Sequence, residues 1–382
     1  MACILIFVNF AAMEGDVMVK VGILTEGKPR IVGNRILNAL MGDGFHWQRC
    51  FALSLPKEAA VICTEPLIVE MPVEAYLRCV VGSEMNPLAP IEFLRAHAIV
   101  SRSWMMGKIM RIHAEGTEGG LDSQEEIRIW ADTGSHSLFH VCNDDHCQRF
   151  QGEQPLADSL RDALESTRSL VLTDADGKLV DARFSKCCGG RTEIFSTCWQ
   201  DVDYPCLRSV EDPWCAPEML TPAQLNAALK DYDAETTPHY YLWDESVEAA
   251  DIAERLRVRF NRSVGEVTAL KPLHRGPSGR IDRLCVEGTE GIFILGKELA
   301  IRRLLSQTHL YSSNFTVERS GTRFLLHGRG WGHGVGLCQI GAAAMAFHGK
   351  TAEQILAHYY PGSRVKALRN LRSLRSLRLK IR

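Results

Sequence analysis

The run His327-Gly328-Arg329-Gly330-Trp331-Gly332-His333-Gly334-Val335-Gly336-Leu337-Cys338-Gln339-Ile340-Gly341-Ala342 alternates glycine with large polar or aromatic residues, then passes into an alanine-rich helical pattern. Glycine reaches positive φ and lets another chain come close to the main chain. The run therefore reads as a glycine-rich turn feeding a helix. Trp331 offers a stacking face, His333 a titratable ring and Gln339 an amide, a set suited to a polymer rich in hydroxyls and amides. A nucleotide loop is set aside, because no Lys-Ser/Thr follows and no βαβ unit carries an acidic residue at the required distance.

A chain of 382 residues is long enough for one large domain or two modest ones. Its formal net charge of −2 gives no broad electrostatic grip on nucleic acid. The basic exception is the tail, where Leu and Arg alternate toward Arg382 and read as a solvated terminus. No segment has the length of a membrane span. Met1 to Ala12 is apolar but short, without a basic leader or a small-residue cleavage site.

Strands and helices alternate without a βαβ rhythm, which predicts an α+β fold: a single elongated mixed domain with a cleft. Strands are expected at Met18–Leu24 and Arg30–Val32 as a pair, at Ile62–Met71, Leu170–Leu172 and Val180–Phe184, three between Val264 and Leu295, and two over Phe315–Leu326. Helices are expected at Pro72–Val81, Ile91–Arg111 (amphipathic, with Pro90 at its start), Ala157–Thr167, Ala249–Phe260, Glu298–Leu305, Leu337–His348 and Ala352–Tyr360. Asp201 to Tyr241 reads as irregular with one short helix. Residues 1–17 form an N-terminal extension, 18–366 the domain, and 367–382 the tail. The polar stretch 113–152 is too long for a plain connection and calls for a functional, metal-tied or mobile insertion.

Glu84 follows a helix and sits among Val, Met and Leu, where burial disfavours the charged form and suits a general acid. On the local sequence alone a surface or capping glutamate is the simpler reading. Three blocks change the balance. Pro72-Val-Glu-Ala-Tyr-Leu-Arg-Cys-Val-Val-Gly-Ser-Glu84-Met is followed by Ile91-Glu-Phe-Leu-Arg-Ala-His-Ala-Ile-Val-Ser-Arg-Ser-Trp104. Ala182-Arg-Phe-Ser-Lys-Cys-Cys-Gly-Gly-Arg-Thr-Glu193 comes next, and the glycine ribbon with Gly349–Gly362 closes the set. In order and in motif these blocks resemble the SpoIID/LytB family, and they span Met71 to Gly362.

The resemblance implies a SpoIID-like fold and cell-wall chemistry: a peptidoglycan lytic transglycosylase acting on glycan strands stripped of stem peptides, or a glycan-binding enhancer of a cell-wall amidase. It implies Glu84 as the catalytic acid, export to the cell envelope, peptidoglycan and an amidase as partners, and no organic cofactor. Arg102, Ser185, Gly189, Gly190, Thr192, Trp331, His333 and Gln339 are the candidates for positioning glycan. Arg102 could instead pair with Glu84. The family usually carries Ser at Cys338 and Tyr at Ile340.

His136, Cys142, His146 and Cys147 crowd thiol and imidazole groups into one segment and suit a closed, structural Zn²⁺ site, with His140 or Asp145 as substitutes. A Cys142–Cys147 disulfide, or free residues, is the competing reading, and a zinc hydrolase centred there is a third function. Of the thirteen cysteines, Cys3, Cys50, Cys63, Cys79, Cys285 and Cys338 lie singly and read as small buried hydrophobes. In an oxidising compartment, Cys187 or Cys188 could bond Cys198, and Cys206 could bond Cys215.

Overall fold

The computed structural model describes residues 17–41, 49–110, 122–123, 125–130, 136–143, 147–229, 240–308 and 310–368. The N-terminal extension up to residue 16, Asp145, His146 and the tail from residue 369 lie outside them.

The α-helices are α1 (Val73–Glu84), α2 (Ile91–Met110), α3 (Asp158–Ser166), α4 (Phe195–Cys198), α5 (Pro222–Ala228), α6 (Ala249–Phe260), α7 (Glu298–Leu305), α8 (Gln339–Phe347) and α9 (Ala352–Tyr359). They are interleaved with short sheets, so the chain is α+β. Pro72 precedes α1 at φ −59°, where its missing N–H costs nothing. The helix ends at Met85, whose extended backbone turns the chain toward Pro87.

The strand Met18–Gly22 pairs antiparallel with Leu67–Pro72 and parallel with Val141–Cys142, not with Arg30–Val32. Ile31–Val32 instead opens a hairpin with Arg35–Met41. The expected strand Ile62–Met71 is two strands, Ala60–Thr64 and Leu67–Pro72, folded back on each other around Pro66. Proline cannot donate to a ladder, so the run breaks there. Val180–Phe184 contributes only Phe184–Ser185, and that short strand pairs parallel with Leu337–Cys338. The described parts of the stretch 113–152 join two sheets. Glu126–Arg128 adds a parallel strand to Gly291–Gly296, and Val141–Cys142 joins the N-terminal sheet. The strand Arg364–Ala367 pairs with Leu170–Thr173, so the start of the basic tail belongs to the fold.

Helix α2 is not an amphipathic surface helix. Every residue from Ala96 to Gly107 is buried, because α1, α3, α8, α9 and the strand Leu170–Thr173 pack around it. A helix buried on all sides shows no polar stripe. One apolar core gathers α2, α8, α9 and the cysteine-rich segment; a second lies between the N-terminal sheet and α1; a third fills residues 243–326 beneath α6 and α7.

A candidate active-site cleft

Helix α1 delivers Glu84 to the wall of a cleft also lined by Trp104, Arg149, Ser185, Trp199, Trp331, His333 and Gln339. One Glu84 oxygen accepts the Arg149 backbone N–H at 2.9 Å, and the other accepts the Gln339 side-chain amide at 3.3 Å. The same Gln339 nitrogen lies 3.1 Å from His97 Nε2. An amide NH₂ has two hydrogens and no lone pair to offer, so His97 Nε2 must accept. His97 Nδ1 then carries the proton and donates to Ser101 Oγ, 3.2 Å away. Burial pushes the His97 imidazole down to about 4, which keeps it neutral as this chain of bonds requires.

The glycine ribbon wraps a buried cation. The Arg280 guanidinium donates to the carbonyl oxygens of Gly332 at 3.0 Å and Cys188 at 3.0 Å. A Cβ on Gly334 would lie 2.6 Å from that guanidinium, and one on Gly336 would lie 2.1 Å from the Arg183 carbonyl oxygen. The space that glycine leaves open is therefore filled by the protein's own atoms. Of the ribbon, Trp331, Gly332 and His333 reach the cleft. Trp331 packs on Tyr311 with ring centroids 4.7 Å apart. His333 packs on Trp199 at 4.9 Å, and its Nδ1 accepts the Val335 N–H. Burial, then the charges of Arg183, Arg280 and Arg302, hold His333 well below the usual imidazole range. Ser185 Oγ accepts the Gly334 N–H at 3.1 Å, locking the ribbon to the neighbouring strand.

Of the residues proposed from the sequence, Glu84, Ser185, Trp331, His333 and Gln339 share the cleft. Arg102 does not reach it. It is fully buried and forms a bidentate pair with Glu74 at 2.9 and 2.8 Å, not with Glu84. Thr192 is buried too and exchanges bonds with the Val210 backbone. Gly189 and Gly190 turn at φ +80° and +102° against Gly330 and Tyr241, behind the cleft wall.

Several cleft residues were not singled out from sequence. Arg183 is held by Asp181 in a bidentate pair and stacks 4.3 Å from the Trp199 ring centre. Lys186 stands 5.4 Å from the Trp331 ring centre. Helix α7 supplies Glu298, Arg302 and Arg303. Glu298 is a second carboxylate, but it is buried and faces Arg302 at 3.4 Å. Helical periodicity placed α7 correctly. Nothing in its sequence marks which of its charged residues turn toward the ribbon.

The metal candidates partly converge. Cys142 Sγ lies 3.7 Å from Cys147 Sγ, and Cys147 Sγ lies 3.5 Å from His136 Nε2. Two thiolates on one zinc at about 2.3 Å stand about 3.8 Å apart in a tetrahedron, so these donors fit the ion. His146, the expected fourth ligand, lies outside the described residues. His140 does not join the cluster; its Nδ1 accepts the Lys20 N–H. All described thiols are unbridged. Cys215 contacts Cys188 rather than Cys206, and Cys198 Sγ points to the His333 carbonyl.

Residues 64–173 match the family model SpoIID, stage II sporulation protein. Residues 193–336 match a domain of unknown function (DUF8618). The chain is 26% identical over 301 residues to stage II sporulation protein D of Bacillus subtilis (strain 168), covering 78% of this chain and 75% of the relative. It is 25% identical over 303 residues to stage II sporulation protein D of Bacillus amyloliquefaciens, covering 77% and 74%. A 63-residue stretch, 16% of this chain and 9% of the relative, is 36% identical to the amidase enhancer of Bacillus subtilis (strain 168). Among the described residues no helix is long and apolar enough to cross a membrane.

Proposed function

We propose that the chain is a peptidoglycan lytic transglycosylase with Glu84 as its acid and base. The observation that carries this reading is the Glu84 carboxyl on the cleft wall, bonded to Gln339 at the end of the ribbon. The protonated carboxyl gives its proton to the oxygen between N-acetylmuramic acid and N-acetylglucosamine. The C1–O bond breaks, and the electron pair leaves with the glucosamine O4. The resulting carboxylate then takes the proton of the muramic C6 hydroxyl as O6 bonds C1, giving a 1,6-anhydro end and restoring the acid. No water enters, and the attack is intramolecular, so proximity lowers the barrier. One carboxylate suffices, whereas hydrolysis uses two. The second carboxylate of the cleft, Glu298, is engaged with Arg302.

Trp331 supplies a stacking face for a sugar ring, and the basic lining of Arg149, Lys186 and Arg303 suits an anionic polymer. Muramic acid without its stem peptide carries a free lactyl carboxylate, so this lining favours denuded strands. A zinc ion held by His136, Cys142 and Cys147 would be structural. It would anchor the segment whose Arg149 N–H bonds Glu84.

The test incubates purified protein with denuded glycan strands and weighs the products. Anhydro-muramyl ends are expected from the wild type, with a loss of roughly 10²–10⁴-fold in Glu84→Gln. Reducing ends, or undiminished cleavage by Glu84→Gln, would overturn the assignment. The second reading is a non-catalytic enhancer of a cell-wall amidase, favoured by the stretch similar to an amidase enhancer. It predicts glycan binding and faster amidase turnover with no new glycan ends.

A further inference from the structure

Behind the cleft lies a second cluster of potential ligands that the reaction does not use. Cys188, Asp212, Cys215 and Cys338 are all buried, and their ligating atoms lie within 4.8 Å of one another. They come from three places: the turn after Phe184–Ser185, the 3₁₀ turn Pro213–Cys215 with its cap Asp212, and the residue preceding α8. We propose that Cys188, Cys215, Cys338 and Asp212 bind a structural zinc ion as three thiolates and a carboxylate.

Three observations carry the assignment. The first is spacing. Cys188 Sγ lies 3.5 Å from Cys215 Sγ and 3.1 Å from Asp212 Oδ2, close to the tetrahedral edge of about 3.8 Å that zinc–thiolate bonds set. The second is the ring of backbone donors aimed at sulfur. Gly190 N–H reaches Cys215 Sγ at 3.2 Å, while Cys188 N–H and Gly341 N–H reach Cys338 Sγ at 3.3 and 3.4 Å. Donors of this kind stabilise thiolate charge and orient a ligand, as outer-sphere bonds do at metal centres. The positive φ of Gly189 and Gly190 is what swings the Gly190 N–H onto Cys215.

The third is the support of the carboxylate. Asp212 is fully buried, its Oδ1 accepts the Trp214 N–H at 3.1 Å, and its Oδ2 accepts the Tyr359 hydroxyl at 3.0 Å. A buried carboxylate among thiols is costly unless a cation balances it. His358 Nε2 lies 3.9 Å from Asp212 Oδ1, outside hydrogen-bond reach, and the guanidinium of Arg280 is directed at the Cys187 and Cys188 carbonyls rather than at this cluster. Thiolate-rich donors with one carboxylate, closed to solvent, match a structural zinc site better than a hard-cation site. The Cys187 thiol lies against Cys215 and Cys338 and is the alternative fourth donor. The ion would clamp the 188–190 turn to the start of α8, and so hold Gln339 in place.

The test counts metal and does not depend on cleavage. The full chain is purified under reductant with added zinc, and its metal content is measured. The variant Cys142→Ser/Cys147→Ser, which disables the other cluster, is expected to retain bound zinc. Adding Cys215→Ser and Cys338→Ser is expected to remove it. Cobalt substitution of the first variant should give thiolate-to-metal absorption. A metal-free Cys142→Ser/Cys147→Ser protein, or a Cys188–Cys215 disulfide found by peptide mapping, would overturn the proposal. Should the four-fold variant fail to fold, nondenaturing mass spectrometry of the wild type decides: an ion beyond the one accounted for by His136, Cys142 and Cys147 supports the proposal, and its absence overturns it. Loss of metal in Cys187→Ser together with its retention in Asp212→Asn would overturn the donor set.

Discussion

Glu84 and Gln339 meet at 3.3 Å across 255 positions of sequence, one ending α1 and the other beginning α8. The bond ties the carboxylate to the ribbon, and His97 fixes the amide from behind.

Replacing Gln339 by Ala removes its bond to one Glu84 oxygen and its bond to His97 Nε2. Misplacing a catalytic group by about 1 Å costs on the order of 10²-fold. Gln339→Ala is therefore expected to lower kcat roughly 10- to 100-fold with a smaller change in KM. Glycan-product kinetics check this; an unchanged kcat would show that Glu84 needs no such support.

Stability should fall on acidification. His97 titrates at 6.5 when unfolded and at about 4 when folded. Between those values the unfolded chain binds the proton first, so stability present above pH 6.5 is lost as pH falls toward 4. His333 is shifted in the same direction. Urea unfolding at pH 7 and pH 5 is expected to differ by a contribution on the order of 1–3 kcal/mol from these rings. His97→Gln should flatten the profile.

Arg102 and Glu74 should govern stability rather than glycan binding. Glu74→Ala leaves a buried guanidinium without its carboxylate, a loss of about 3 kcal/mol. The cleft is untouched, so activity per folded molecule is expected to stay near wild type. Chemical denaturation and an assay of the folded fraction separate the two.

Gly336→Ala places a Cβ against the Arg183 carbonyl at φ +71°. Backbone strain and collision together are expected to cost roughly 2–4 kcal/mol. Gly349→Ala, at φ +76° with nothing near its Cβ, bears the strain alone and should cost less. Thermal unfolding of the two variants side by side measures the difference.

Local signals were legible where local forces decide. Helices α6 and α7 fall at the residues that periodicity indicates, and Pro90 announces α2. The strand Leu242–Glu248 escaped notice because only Trp243 and Val247 along it are buried. Arg102 pairs with Glu74 of α1, a partner that no spacing within its own helix indicates. Cys338 looked like an isolated apolar cysteine, and its partners Cys188 and Cys215 are distant in sequence. The glycines of the ribbon were legible as a demand for closeness; what they approach, Arg280, was not.

The distance along the chain between the two halves of the cleft also bears on biosynthesis. A growing polypeptide carries Glu84 through 255 further residues of translation before Gln339 exists to meet it. The carboxylate and the amide that holds it can therefore meet only after α8 has been made.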